Sequence, residues 1–155
     1  MNHELSAFLC EAKKKTYANQ SAKKLNPSRE GSVDYEYSHG QMLYHDTYFG
    51  GTRFMGEEVV YRNDQTPVWG MNYYGIMLEE SLTNEVFNQV LRPALMLVGS
   101  DDMLPVRGPR DWRIGDYRYE FQVNGQLELF EGEERIFKGD RVVYILKCHG
   151  GTIQK

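Results

Sequence analysis

Apolar residues recur at helical spacing in two places along the chain. Leu5, Phe8, Leu9 and Ala12 form one stripe, and Val86, Phe87, Val90, Leu91, Ala94, Leu95 and Val98 form the other. Each predicts an amphipathic helix with one face turned to a core. The first begins near Glu4, with Asn2 or His3 as cap, and closes on Lys13, Lys14 and Lys15, where positive charge suits the helix dipole. Those lysines read as a solvated helix end. The second begins at Thr83, a good capping residue, with Glu85 in its first turn. Its stripe continues past Pro93, which predicts a kink rather than a stop, and Gly99 ends it.

Between and after the helices the pattern changes to short alternating runs bounded by turn residues. Strands are predicted at 33–37, 42–49, 52–62 and 68–78, then at 117–123, 126–130, 135–138 and 142–148. Asn124-Gly125 is the strongest hairpin signal among the connections. The stretches 18–32 and 100–115 read as loops, and 149–155 as a loose tail. Short connections favour antiparallel pairing, since parallel strands need long crossovers. The order helix, four strands, helix, four strands gives an α+β fold.

The two halves also resemble each other. FMGEEVVYRND, from Phe54 to Asp64, returns as FEGEERIFKGD, from Phe130 to Asp140, and Gly40, Tyr44 and Gly50 find counterparts in Gly115, Tyr119 and Gly125. Gly75 aligns with Gly151. We therefore expect one domain over 1–155, built from two tandem helix-plus-meander halves, about 1–78 and 79–155, around a shared core. The halves would either continue one sheet or face each other across a pseudo-twofold axis.

Composition narrows the function classes. The chain has 155 residues, a net charge of −4, and no basic run denser than the three lysines, which argues against direct nucleic-acid binding. Two cysteines form no disulfide framework, and no apolar run is long enough to span a membrane. MNHELSAF lacks the plan of a signal peptide, so a cytoplasmic location is expected. The histidines and cysteines show no metal-ligand spacing, and no phosphate-cradling glycine loop or nucleophile elbow occurs, so neither metal nor cofactor is expected.

Residues shared by both halves are most simply scaffold. Glu57 and Glu58, with Glu133 and Glu134, are expected to be exposed or edge-pairing carboxylates, partnered by Arg62 and Arg135; a cation held between them is the less favoured alternative. Features unique to the first half are the better functional candidates. In YHDTYFGG, alternation places Tyr44, Asp46 and Tyr48 on one strand face. In WGMNYY it places Trp69 and Tyr73 on one face and Asn72 on the other. Aromatic walls around one carboxylate and one amide suit a small-molecule pocket, and a cationic ligand in particular. His45 cannot pair with Asp46 through side chains, because strand neighbours face oppositely.

YHDTYFGG, FMGEEVVY and PVWGMNYYG resemble an uncharacterised bacterial family whose domain occurs alone or joined to Xre-type helix-turn-helix regulators. The resemblance runs from Leu5 to Cys148 and implies a sensing or interaction role, with no assigned activity. With four residues ahead of Leu5, the form without a separate helix-turn-helix is the one expected here.

The expectation from the sequence is a small-molecule-binding or sensor domain without catalysis, its ligand site formed by Tyr44, Asp46, Tyr48, Trp69, Asn72 and Tyr73. One alternative is an enzyme on a small polar substrate, with Asp46 or Glu58 as acid–base group. Another is a self-associating interaction module, which leaves a homodimer open.

Overall fold

The computed structural model describes residues 2–155. Helix α1 (Asn2–Lys15) is followed by four antiparallel strands, β1 (Val33–His39), β2 (Met42–Gly50), β3 (Arg53–Arg62) and β4 (Pro67–Met77). A composite helical segment crosses back, and β5 (Asp111–Ile114), β6 (Tyr117–Gln126), β7 (Leu129–Lys138) and β8 (Arg141–Thr152) complete the fold. All eight strands form one sheet in the order β1-β2-β3-β4-β8-β7-β6-β5, a sequence that reads alike from both edges. The first of the two expected arrangements, one continuous sheet, is the one found.

Both helical segments lie on the same face of the sheet. Leu5, Phe8, Leu9 and Ala12 of α1 are buried there, with Val86, Val90, Leu91, Ala94 and Leu95 of the composite segment. They cover Tyr44, Val60, Trp69, Met71, Tyr119, Phe121, Ile136, Tyr144 and Leu146 in one core. These strand residues all fall on the alternate positions that point inward.

Pro93 reshapes the second helix upstream of itself. A 3-10 turn (Glu80–Leu82) and an α-turn (Thr83–Glu85) lead into π-helical backbone (Val86–Leu91) before α geometry returns (Arg92–Leu95). Proline cannot donate to the carbonyl four residues back and its ring crowds that carbonyl. Widening the preceding turns, so that Arg92 N–H bonds to the Phe87 carbonyl, passes the proline without breaking the apolar stripe.

Several predicted elements are corrected. Asn124-Gly125 is not the β6–β7 turn: both residues lie in β6, and the turn falls at Leu127 and Glu128. Tertiary bonds override the local signal there. The Trp69 indole N–H donates to the Leu127 carbonyl at 3.1 Å, and Thr152 N–H donates to the Glu128 carbonyl at 3.2 Å. Gly125 supplies instead a positive φ of 101° at the strand end, opposite Phe130, as Gly50 does with 96° opposite Phe54. The runs 126–130 and 135–138 are the turn and the two ends of β7, not separate strands. Asp111–Ile114, expected as loop, pairs with β6, and the tail expected from 149 continues β8 to Thr152.

Candidate functional site

Register fixes which side chains share a row across the sheet. On the helix-facing side, Asp46, Glu58 and Met71 form one row across β2, β3 and β4. Phe121, Glu134 and Leu146 form its counterpart across β6, β7 and β8. The neighbouring rows are Tyr44, Val60, Trp69 against Tyr119, Ile136, Tyr144, and Tyr48, Gly56, Tyr73 against Val123, Gly132, Cys148. Both halves carry a register shift at the same place, after Val60 and after Ile136. Phe54 lies over Gly75 and Phe130 over Gly150, each occupying the space a side chain on the glycine would need. By register the counterpart of Gly75 is Gly150, one residue from the Gly151 suggested by sequence.

Glu58 and Glu134 are 3% and 0% exposed, so neither is the solvated carboxylate expected from sequence. Each is neutralised by a buried cation. Lys13, expected at a solvated helix end, turns inward and donates to Glu58. Arg107 forms a two-pronged pair with Glu134, at 2.9 Å from Nε and 2.7 Å from Nη2. Tyr144 donates to the same carboxylate at 2.7 Å, and Tyr119 also donates to it. A buried charge persists only when so paired and hydrogen-bonded. The outer carboxylates behave differently: Glu57 meets Arg29, and Glu133 meets Arg135 and Lys147, all near solvent.

The two halves differ in charge at the row of Asp46. Phe121 fills its place and is fully buried. Asp46 occupies the equivalent position, is 3% exposed, and accepts a hydrogen bond from Tyr73 Oη at 2.7 Å. Beside it a cavity of about 400 Å³ opens between sheet and helices. Its wall includes Lys13, Tyr17, Tyr44, Asp46, Tyr48, Glu58 and Tyr73 from the first half of the chain, with Phe87, Arg92 and Arg107 from the second. Burial, and after it the negative charge of Glu58, pushes the Asp46 carboxyl up to about 7, against the Tyr73 hydrogen bond and the charges of Lys13 and Arg107. Burial likewise raises the hydroxyls of Tyr44, Tyr73 and Tyr48; nearby carboxylates add to it in the first two, and Tyr17, Tyr35 and then Asp46 in the third.

Four of the six residues singled out from sequence therefore meet at this cavity: Tyr44, Asp46, Tyr48 and Tyr73. Trp69 lies two positions along β4 from Met71, stacked on Phe130 at 5.9 Å with its N–H on Leu127. Asn72 points to the opposite face, into a wide trough of about 880 Å³ bounded by Glu57, Glu133, Arg135, Lys147 and His149. Sequence reasoning missed Lys13 and Arg107, and raised Glu58 only as an alternative acid–base group. For the glutamate a signal existed, since Glu58 falls in register with Asp46 on the inward face. His45 is on the outer side, bonded to Asp34 at 2.6 Å. Burial disfavours the charge on Asp34, but hydrogen bonds from Ser28, Ser32 and His45 outweigh it and hold the carboxyl low.

Among the described residues, no group of three or more His, Cys, Asp or Glu side chains is placed to hold a metal ion. No helix among them is long and apolar enough to cross a membrane.

The fold and cavity define an α+β protein with one antiparallel sheet, helices on one side, and a carboxylate-bearing cavity between the layers. Residues 46–153 match a domain of unknown function, DUF5680, and the chain belongs to that family. The matched region begins at Asp46 and includes Glu58, Tyr73, Arg107 and Glu134; Lys13, Tyr17 and Tyr44 precede it. No curated protein and no solved structure matches the chain.

Proposed function

We propose that this protein binds a small molecule in the cavity beside Asp46 and acts as a sensor or binding domain. The observation that carries the reading is the contrast between equivalent rows. Phe121 packs solid, whereas Asp46 leaves about 400 Å³ beside a buried carboxylate, a volume suited to a small ligand. A buried carboxylate shifted toward neutrality is costly to the fold, which argues for a use other than packing. The resemblance to a family joined to Xre-type regulators fits a sensing role.

A thermal-shift screen of wild type and Asp46→Asn against a metabolite library tests this. A ligand binding only the folded state stabilises it by about 2.7 kcal/mol at a hundredfold excess over Kd. We expect a hit whose shift is reduced or lost in Asp46→Asn. Hits that stabilise both proteins equally place binding elsewhere and count against the cavity.

A second reading is favoured by the same carboxyl. A group titrating near neutral pH suits general acid–base catalysis on a small polar substrate. Turnover of a screened ligand, abolished in Asp46→Asn, would select the enzyme reading over the sensor.

We infer further that the halves arose by tandem duplication. The mirrored sheet order, matching register shifts, paired glutamates and phenylalanine-over-glycine contacts all support it. Relatives whose halves match at unrelated positions would contradict it.

A further inference from the structure

Resting on that reading, we infer that the ligand of this cavity carries a positively charged nitrogen, seated against Asp46 and enclosed by tyrosine and phenylalanine rings. The other charges in the wall already have partners. Lys13 is paired with Glu58, and Arg107 with Glu134. Arg92 donates to the Tyr17 carbonyl at 2.9 Å and to Asn88 Oδ1 at 2.7 Å, with its guanidinium 4.4 Å from the Tyr17 ring centroid. It organises the half-buried mouth, where water screens it. Asp46 is different. Among the described residues, no Lys, Arg or His nitrogen lies within ion-pair distance of its carboxylate, and its hydrogen bond comes from the neutral Tyr73 hydroxyl. The missing counter-charge is what a ligand ammonium would supply, and Tyr17, Tyr48, Phe54 and Phe87 provide ring faces and edges around the same space.

The groups that face Asp46 set the pH dependence. They are Tyr35 from β1, Tyr44 and Tyr48 from β2, Glu58 from β3, Tyr73 from β4, Lys13 and Tyr17 from α1 and the turn after it, Arg92 from the composite helix, and Arg107 from the segment beyond it. The tyrosine hydroxyls are held up by burial, and Lys13 and Arg107 each keep a carboxylate partner of their own. Asp46 is therefore the group that changes charge near neutral pH. A bound cation favours its ionised form, so binding below about pH 7 releases a proton from Asp46 to solvent, and affinity rises with pH until that midpoint is passed.

The test is calorimetric titration of the whole chain with three probes of one shape: benzylammonium, benzyl alcohol and benzoate. Benzylammonium should bind wild type most tightly, on the order of thirtyfold tighter at pH 8 than at pH 5.5, the ratio that a midpoint near 7 dictates. Asp46→Asn should bind it at least tenfold more weakly and with the pH dependence removed. Benzyl alcohol or benzoate binding as tightly as benzylammonium would overturn the charge inference and leave the cavity reading standing. A silent titration with all three probes, on protein verified as folded, would overturn both.

Discussion

Asp46 stands where the other half of the fold carries the buried Phe121, and Tyr73 donates a hydrogen bond to it. In folded protein its carboxyl sits at about 7, against an ordinary aspartate value of 3.8. The sign of the linkage follows. The unfolded chain gives up this proton above pH 3.8 while the folded protein keeps it, so the stability Asp46 contributes is fully present below 3.8 and is lost as pH rises to about 7. With about 1.4 kcal/mol for each pKa unit, the loss is on the order of a few kcal/mol. Asp46→Asn keeps the shape and removes the titration. It should be more stable than wild type by about 2–4 kcal/mol in denaturant titrations at pH 8, with the gain shrinking towards pH 4. No gain at pH 8 would mean that the carboxylate is better solvated than this site allows. Strand alternation was enough to place Tyr44, Asp46 and Tyr48 on one face in advance. It could not show that Lys13 reaches Glu58, because that contact joins residues 45 apart in sequence and depends on where α1 docks.

Among the elements, those with strong periodicity were legible and those shaped by distant contacts were not. The two apolar stripes and the strands of the first half lie where the pattern puts them. The β6–β7 turn was misread because Asn124-Gly125 is a good turn only in isolation, and Trp69 and Thr152 hold the chain two residues further on. Four-residue β5 has too few alternations to stand out from its polar surroundings. Pro93 was legible as a disturbance, but the π-helical turns that absorb it are a matter of backbone accommodation rather than pattern. The phenylalanine-over-glycine contacts belong to this scale too. A methyl group at Gly75 would collide with the Phe54 ring, which itself meets Tyr144, Phe87 and Tyr73. Gly75→Ala should therefore cost about 1–3 kcal/mol through overpacking, read as a lower denaturation midpoint with an unchanged m-value. A neutral result would show that Phe54 has room to move.

The whole molecule is one sheet whose strands run in mirrored order about the β4–β8 pairing. The repeat in the sequence suggests two related halves, and it leaves undecided whether they would continue one sheet. Register then shows what the repeat alone could not: the same buried glutamate, with its cation, supports a filled row at one end and an open row at the other. The cavity lies where Asp46 stands in the place that Phe121 fills in the other half, with Tyr48 in its wall and α1, the composite helix and Arg107 as its roof. Asp46 is a buried, near-neutral carboxyl beside a space large enough for a ligand. The most direct measurement is the ¹³C NMR titration of its carboxyl carbon in the intact protein, alone and with benzylammonium present. A midpoint near 7 that moves downward when the cation is added is the expected result. A midpoint at the ordinary aspartate value, unmoved by the cation, would contradict it.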